Sequence, residues 1–275
     1  METDRVKVGV IRQNEPIEVE ARVIVIANGF GSKLAGDLGL GSIGDFVMGA
    51  QAEVQVENLE EVEVYFGKEV APAFFAWLVP TAPGRALAGL LSRRSPGIHL
   101  RKLIASLAAD KKIVSDNVTL SYSGVPLKPL PKSCMDRVLV VGTAAGQVKP
   151  TTGGGIYFGL LGADIAVDTL KKALIDDDLS SATLASYERG WREKLGRELR
   201  TGYWMRKFYE MLTDKQVDGM FNLVQTSGIL EELLEAEDLS FDWHGNVVSR
   251  VLNQRVFMKA ISAMKIRLSL KGLNQ

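Results

Sequence analysis

The chain has 275 residues, 46% hydrophobic and 24% charged, which is enough for one large or two modest globular domains. Lys+Arg and Asp+Glu are equal at 33 each, so charge points to no nucleic-acid partner. Cys134 is the only cysteine and His99 and His244 stand apart, which excludes an internal disulfide, a CxxC redox pair and a cysteine-ligated cluster and suggests no metal site.

Val6, Val8 and Val10 alternate with other residues, Gln13-Asn14-Glu15-Pro16 signals a turn, and Ile17, Val19 and Ala21 alternate with charges. That pattern predicts a β-hairpin. Val23 to Ala27 is apolar without alternation, as in a buried parallel strand. From Ile43 to Tyr122 the pattern is mostly strand, with half-buried antiparallel runs at Ala50–Val56 and Val62–Phe66 and a helical interruption over Gly97–Ala109. Pro126, Pro129 and Pro131 mark a crossing. Val138 to Val141 reads as a second buried strand, which should share a sheet with Val23–Ala27, while the Ala50–Tyr122 layer forms a separate sheet.

A glycine-rich loop follows, with Gly142, Gly146, Pro150 and Gly153-Gly154-Gly155, and then apolar residues near Ile156, Leu160, Ala163, Val167 and Leu170 at helical spacing. A strand, a glycine loop and a helix N-terminus together suit an electron-rich ligand, because glycine admits a close approach and the first-turn amides carry partial positive charge. The alternative is a packed strand-to-helix turn with no ligand. Tyr187 to Leu212 predicts a helix with Trp191, Leu195 and Leu199 on one stripe and Arg192, Arg197 and Arg200 elsewhere. Leu230–Glu237 and Val247–Leu270 read as further helices, split by Asp242-Trp243-His244-Gly245. No apolar run is long enough to span a bilayer, and composition leaves room for contact with a membrane surface.

GTAAGQVKPTTGGGIYFGL, from Gly142 to Leu160, resembles the second flavin-binding motif of the geranylgeranyl reductase family, whose usual form is GDAAGxxxPxxGGGI. The family aspartate on the ribityl side of FAD is Thr143 here, a hydroxyl in place of a carboxylate. Ala27-Asn28-Gly29-Phe30-Gly31-Ser32 is similar to the family's AxGxxS turn, and Phe75, Trp77 and Pro80 fall on its YxWxFP segment, which lines the isoprenoid cavity. YERGWREKLGRELRTG looks like its C-terminal helix.

The resemblance implies a mixed α/β (α+β) fold. A partial FAD/NAD(P)-binding Rossmann-like domain would cover 1–44 and 125–176, an antiparallel-sheet substrate domain 45–124 and a helical region 177–275. It implies FAD held by Gly29, Gly142, Thr143, Ala144, Gly146, Pro150, Gly153, Gly154, Gly155 and Ile156, with NADPH or another reductant as electron source. Phe75, Trp77 and Pro80 would meet an isoprenoid chain whose C=C bonds are reduced. No proton donor is named; Tyr157 competes with a core role for that tyrosine. The implied setting is cytoplasmic, with peripheral contact to the inner membrane face. No GxGxxG stands before Val23, so the chain reads as the C-terminal portion of a family member, the missing segment being encoded upstream. The alternatives are a hydroxylase- or halogenase-like flavin monooxygenase of the same fold and a non-catalytic remnant unable to bind FAD.

Overall fold

The structure is a computed structural model that describes residues 5–229, 231, 235, 240 and 242–245. The two expected helices over Leu230–Glu237 and Val247–Leu270 therefore lie outside the described residues or almost wholly so. The chain divides into two compact units, one of residues 1–45 and 126–199, the other of 46–125 and 200–275.

In the first unit, β1 (Val6–Arg12) and β2 (Glu15–Ala21) pair antiparallel across a two-residue turn. Gln13 and Asn14 both take positive φ, 51° and 65°, as a turn matching strand twist requires. Then β3 (Ile24–Ile26) pairs in parallel with β10 (Val138–Val140), with Ile26 opposite Val140. β9 (Cys134–Met135) completes this three-stranded sheet on the other edge of β10. The two apolar runs thus share a sheet, as their pattern predicts. A short α1 (Leu34–Asp37) follows the turn after β3, and Ile26, Ala35, Leu40, Leu130, Val138, Val140 and Ala145 make one core.

Two long helices follow in sequence, α3 (Ile156–Ile175) and α4 (Ser181–Met211). The expected α4 stripe is buried: Trp191 and Leu195 are fully enclosed, together with Leu184 and Tyr187. The α3 stripe behaves differently. Ile156, Leu160 and Val167 are exposed, while Phe158, Gly162, Ala166 and Ala173 are buried. α3 is apolar on more than one face, so periodicity gives the helix and not the face it buries.

In the second unit a five-stranded sheet runs in the order β5-β6-β7-β4-β8 and is separate from the parallel pair. Its strands are β4 (Phe46–Gln55), β5 (Glu63–Phe66), β6 (Phe75–Ala82), β7 (Arg85–Ser92) and β8 (Ser121–Pro126). α2 (Pro96–Ala109) covers one face, burying Leu100, Leu103, Ile104 and Leu107 against Ala52, Val54, Leu78 and Ala88. α5 (Asp214–Thr226) opens on a capping box, in which Thr213 Oγ1 accepts from the Gln216 amide and the Gln216 side chain accepts from the Thr213 amide.

Candidate functional site

The site grows from the end of β10. Val141 is extended, and Gly142–Ala145 form a single 3-10 turn that was not foreseen from the sequence pattern. Gly142 and Gly146 both lie in the left-handed region, at φ 69° and 72°. Gly146 has a second reason to lack a side chain: a Cβ would meet Pro129 Cα at 2.5 Å and the Lys128 carbonyl oxygen at 2.6 Å.

A buried polar chain fixes this turn. The Gly142 amide donates to Gln147 Oε1 at 2.8 Å, Gln147 Nε2 donates to the Tyr187 hydroxyl at 2.9 Å, and that hydroxyl donates to the Val140 carbonyl at 2.7 Å. Gln147 and Tyr187 are fully enclosed, and burial pushes the Tyr187 phenol far up, so it stays a donor. Gly162 of α3 makes room for Gln147: a Cβ there would lie 2.1 Å from Oε1. Neither Gln147 nor Tyr187 is marked in the sequence, because the motif leaves position 147 open and Tyr187 lies on another helix.

The loop from Lys149 to Gly154 closes on itself. The Lys149 amide donates to the Gly154 carbonyl at 2.9 Å, and the Gly153 amide to the Lys149 carbonyl at 2.8 Å. The Gly154 amide has only a long contact of 3.4 Å, to Thr152 Oγ1. α3 then starts with Gly155 as its N-cap, a residue that has no side chain with which to cap the helix. Ile156 is 84% exposed at this end. Gly155 packs on Thr143: a Cβ there would stand 3.4 Å from Thr143 Oγ1.

The parallel register that sets Ile26 opposite Val140 also sets the two following turns side by side. Between them lies a cavity of about 310 Å³, lined by Asn28, Gly29, Ser32, Lys33, Thr143 and Ala144 among others. Gly29 takes φ 78° and Gly31 φ 94°. A Cβ on either would face open space, so their glycine identity serves backbone conformation. Of the residues picked from the sequence, the structure gathers Gly29, Thr143 and Ala144 on this cavity, with Gly155 against Thr143. Gly146 and Pro150 are buried beneath the loop as its support. The cavity also takes its wall from Gly41, Ser42, Ile43 and Leu130, which sequence reasoning did not single out; no pattern in them announces a common surface.

In the second unit, Phe75 and Trp77 point away from the α2 side of β6, whose alternate residues Ala76 and Leu78 are fully buried. Trp77 lies across its cross-strand neighbour Gly89, where a Cβ would sit 2.4 Å from Trp77 Cζ2. Phe66 and Phe221 extend the array, at ring-centroid distances of 6.0 Å from Phe75 to Phe66 and 5.4 Å from Phe66 to Phe221. Pro80 pairs with Ala86 of β7 beside an irregularity in register, past the end of β5, whose last pairing is Glu63 with Leu78.

No protein-family model matches the chain. Among curated proteins it is 32% identical over 216 residues to the digeranylgeranylglycerophospholipid reductase of Methanocaldococcus jannaschii, covering 75% of this chain and 55% of that protein. It is also 32% identical over 241 residues to digeranylgeranylglycerophospholipid reductase 1 of Methanothermobacter thermautotrophicus, covering 80% and 60%. The chain thus spans between 55% and 60% of the length of these relatives. A solved geranylgeranyl bacteriochlorophyll reductase-like protein from Thermoplasma acidophilum superposes with a TM-score of 0.78 at 21% identity, over 96% of this chain and 67% of that one. A variant of the halogenase PltM in complex with FAD superposes with a TM-score of 0.58 at 14% identity, over 100% and 65%. The chain shares the fold of these flavin-dependent neighbours, and in sequence it is similar over most of its length to digeranylgeranylglycerophospholipid reductases.

Proposed function

We propose that the chain forms part of an FAD-dependent reductase that saturates C=C bonds of isoprenoid chains carried on a lipid or a diphosphate. The observation that carries this reading is the cavity between the Gly29 and Thr143 turns, next to the start of α3, whose N-cap is Gly155. At about 310 Å³ it is at the small end of ligand pockets, and so it suits one portion of a dinucleotide. The residues present fit that group. Gly29 keeps the backbone low, the Thr143 hydroxyl can both donate to and accept from a polyol, and the start of α3 offers amides to an electron-rich edge.

FAD when bound would supply a hydride to the alkene. The chain's part is to bind and orient, with Gly142, Gly146, Pro150 and Gly153–Ile156 shaping the cofactor loop and the α3 amides favouring negative charge. Phe75, Trp77 and Pro80, with Phe66 and Phe221 beside them, would give an isoprenoid chain an apolar, aromatic surface. NADPH or another reductant would recharge the cofactor. Pyrophosphate contacts would come from a strand–GxGxxG–helix segment. The reading places the protein in the cytoplasm, at the inner membrane face. No helix among the described residues is long and apolar enough to cross a membrane. Arg192 is committed to Glu188 and to the carbonyls of Leu130 and Pro131, whereas Arg197 and Arg200 are exposed and available to anionic headgroups.

The test is direct. The purified chain is titrated with FAD from micromolar to millimolar, followed by flavin fluorescence, and then incubated with dithionite and a geranylgeranyl lipid. Mass spectrometry should show a gain of two hydrogens per reduced double bond. The isolated chain should bind FAD weakly, and joining a strand–GxGxxG–helix segment to it should tighten binding; absence of flavin binding even with that segment joined would defeat the cofactor assignment and favour a non-catalytic remnant, and binding with halogenation or hydroxylation of an aromatic would favour the monooxygenase reading.

A further inference from the structure

The cavity wall carries two charged side chains that the cofactor reading does not use. Both come from α1, with Lys33 at its N-cap and Asp37 as its last residue. Among the residues lining the cavity, Lys33 is the one cation and Asp37 the one carboxylate, since position 143 is a threonine. The backbone beneath them is fixed. Ala35 and Leu40 are buried in the core of the first unit; the Asp37 amide donates to the Lys33 carbonyl at 2.9 Å and the Leu40 amide to the Ala35 carbonyl at 3.0 Å. Lys33 does nothing for α1 itself. An ammonium has no acceptor with which to cap a helix, and Ser32 Oγ accepts from the Leu34 amide at 3.1 Å instead. Residues four apart on a helix are neighbours, yet among the described residues neither the Lys33 ammonium nor the Asp37 carboxylate makes a hydrogen bond or an ion pair, with each other or with a third group. Both side chains are exposed at the cavity, and no described protein group there answers either charge. A carboxylate accepts from hydroxyls and an ammonium meets a negative oxygen, so the pair suits a molecule that bears hydroxyls and a phosphate close together.

From this geometry we infer that Lys33 and Asp37 are a specificity-determining pair that selects a polyol phosphate, Asp37 accepting from its hydroxyls and Lys33 meeting the phosphate beside them. The inference rests on the FAD reading above and deepens it. The ribityl chain of a flavin nucleotide ends in such a phosphate, which in FAD is the flavin-side half of the pyrophosphate. Riboflavin has the same polyol and no phosphate. Thr143 offers the cavity a hydroxyl but no charge, so the ionic part of recognition falls to α1. Lysine is a compact point charge on a flexible stem and meets a phosphate without the fixed fork geometry of arginine.

The experiment compares the parent chain with Lys33→Met and Asp37→Asn, each alone and each joined to a strand–GxGxxG–helix segment. Fluorescence titration at low salt gives the Kd for riboflavin, FMN and FAD, and circular dichroism checks folding; both positions are exposed, so neither change disturbs the core. The parent should bind FMN more tightly than riboflavin. In Lys33→Met that preference should fall about three- to fivefold, while riboflavin binding stays within about twofold of the parent. In Asp37→Asn riboflavin binding should weaken about fivefold. FMN should lose less there, because removing the carboxylate also relieves its repulsion of the phosphate, so the preference for FMN rises. The two variants therefore move the FMN-to-riboflavin ratio in opposite directions, which a merely structural role of α1 would not do. An unchanged ratio in folded Lys33→Met, or unchanged riboflavin binding in folded Asp37→Asn, overturns the inference and leaves the cofactor site standing. A parent that binds none of the three flavins, alone or with the segment joined, overturns the FAD reading and the inference with it.

Discussion

Replacing Gln147 by methionine probes the buried chain that joins the glycine loop to α4. Methionine matches glutamine in length and offers neither a strong acceptor nor a donor. The Gly142 amide then loses its 2.8 Å acceptor, and the Tyr187 hydroxyl loses the donor at 2.9 Å while keeping its bond to the Val140 carbonyl. An unmet buried amide costs about 1–3 kcal/mol and a lost neutral hydrogen bond about 0.5–1.5 kcal/mol. Gly142 is only half-buried, so water can partly replace the acceptor, which places the total at about 2–3 kcal/mol. Urea denaturation should show the loss in midpoint at unchanged slope. Hydrogen exchange at the Gly142 amide should accelerate about tenfold or more, since each 1.4 kcal/mol is tenfold. Unchanged exchange at Gly142 together with a stability loss below about 0.5 kcal/mol would refute the role given to Gln147.

Gly162→Ala drives a methyl to within 2.1 Å of Gln147 Oε1 and should destabilise by about 1–3 kcal/mol despite alanine's better helix propensity; a gain in melting temperature would contradict the packing described. Gly89→Ala should push the Trp77 indole off the sheet, visible as a changed tryptophan emission maximum, and an unshifted spectrum in a folded variant would argue against the close contact. Asp136 accepts from the Ser181 amide at the start of α4, and this backbone bond, then the Ser181 side chain, holds its carboxyl below the usual range. A depressed pKa means the contribution is present above the ordinary carboxylate pKa and is lost as pH falls through the lowered value. Asp136→Ala should cost about 0.5–2 kcal/mol at pH 7 and should weaken the acid dependence of stability below about pH 4; parallel pH profiles for the two proteins would contradict this.

Much of this protein is fixed by local sequence. The hairpin follows from two alternating runs about a turn in which Asn14 is of a type that tolerates positive φ. The partnership of β3 with β10 follows from two runs that are apolar on both faces, although the expected burial is realised for β10 and not for β3, which stands at the sheet edge with Val25 exposed. The glycine loop follows from positions such as Gly142, where only a residue without a Cβ adopts the left-handed backbone at low cost. These are properties of single residues and short periods, and a linear reading sees them.

The tertiary structure decided what depends on distance in space. Periodicity defined α3 but not its buried face, because Gly162 and Ala166 win that face by smallness, letting Gln147 pack against the helix, while Ile156 and Val167 stay outside. Gln147, Tyr187 and Val140 form one hydrogen-bonded chain only when α4 folds back on β10. Gly29 and Thr143 border one cavity because Ile26 is set opposite Val140. The register of the parallel pair determines that meeting, and register is a relation between two segments that neither segment encodes alone.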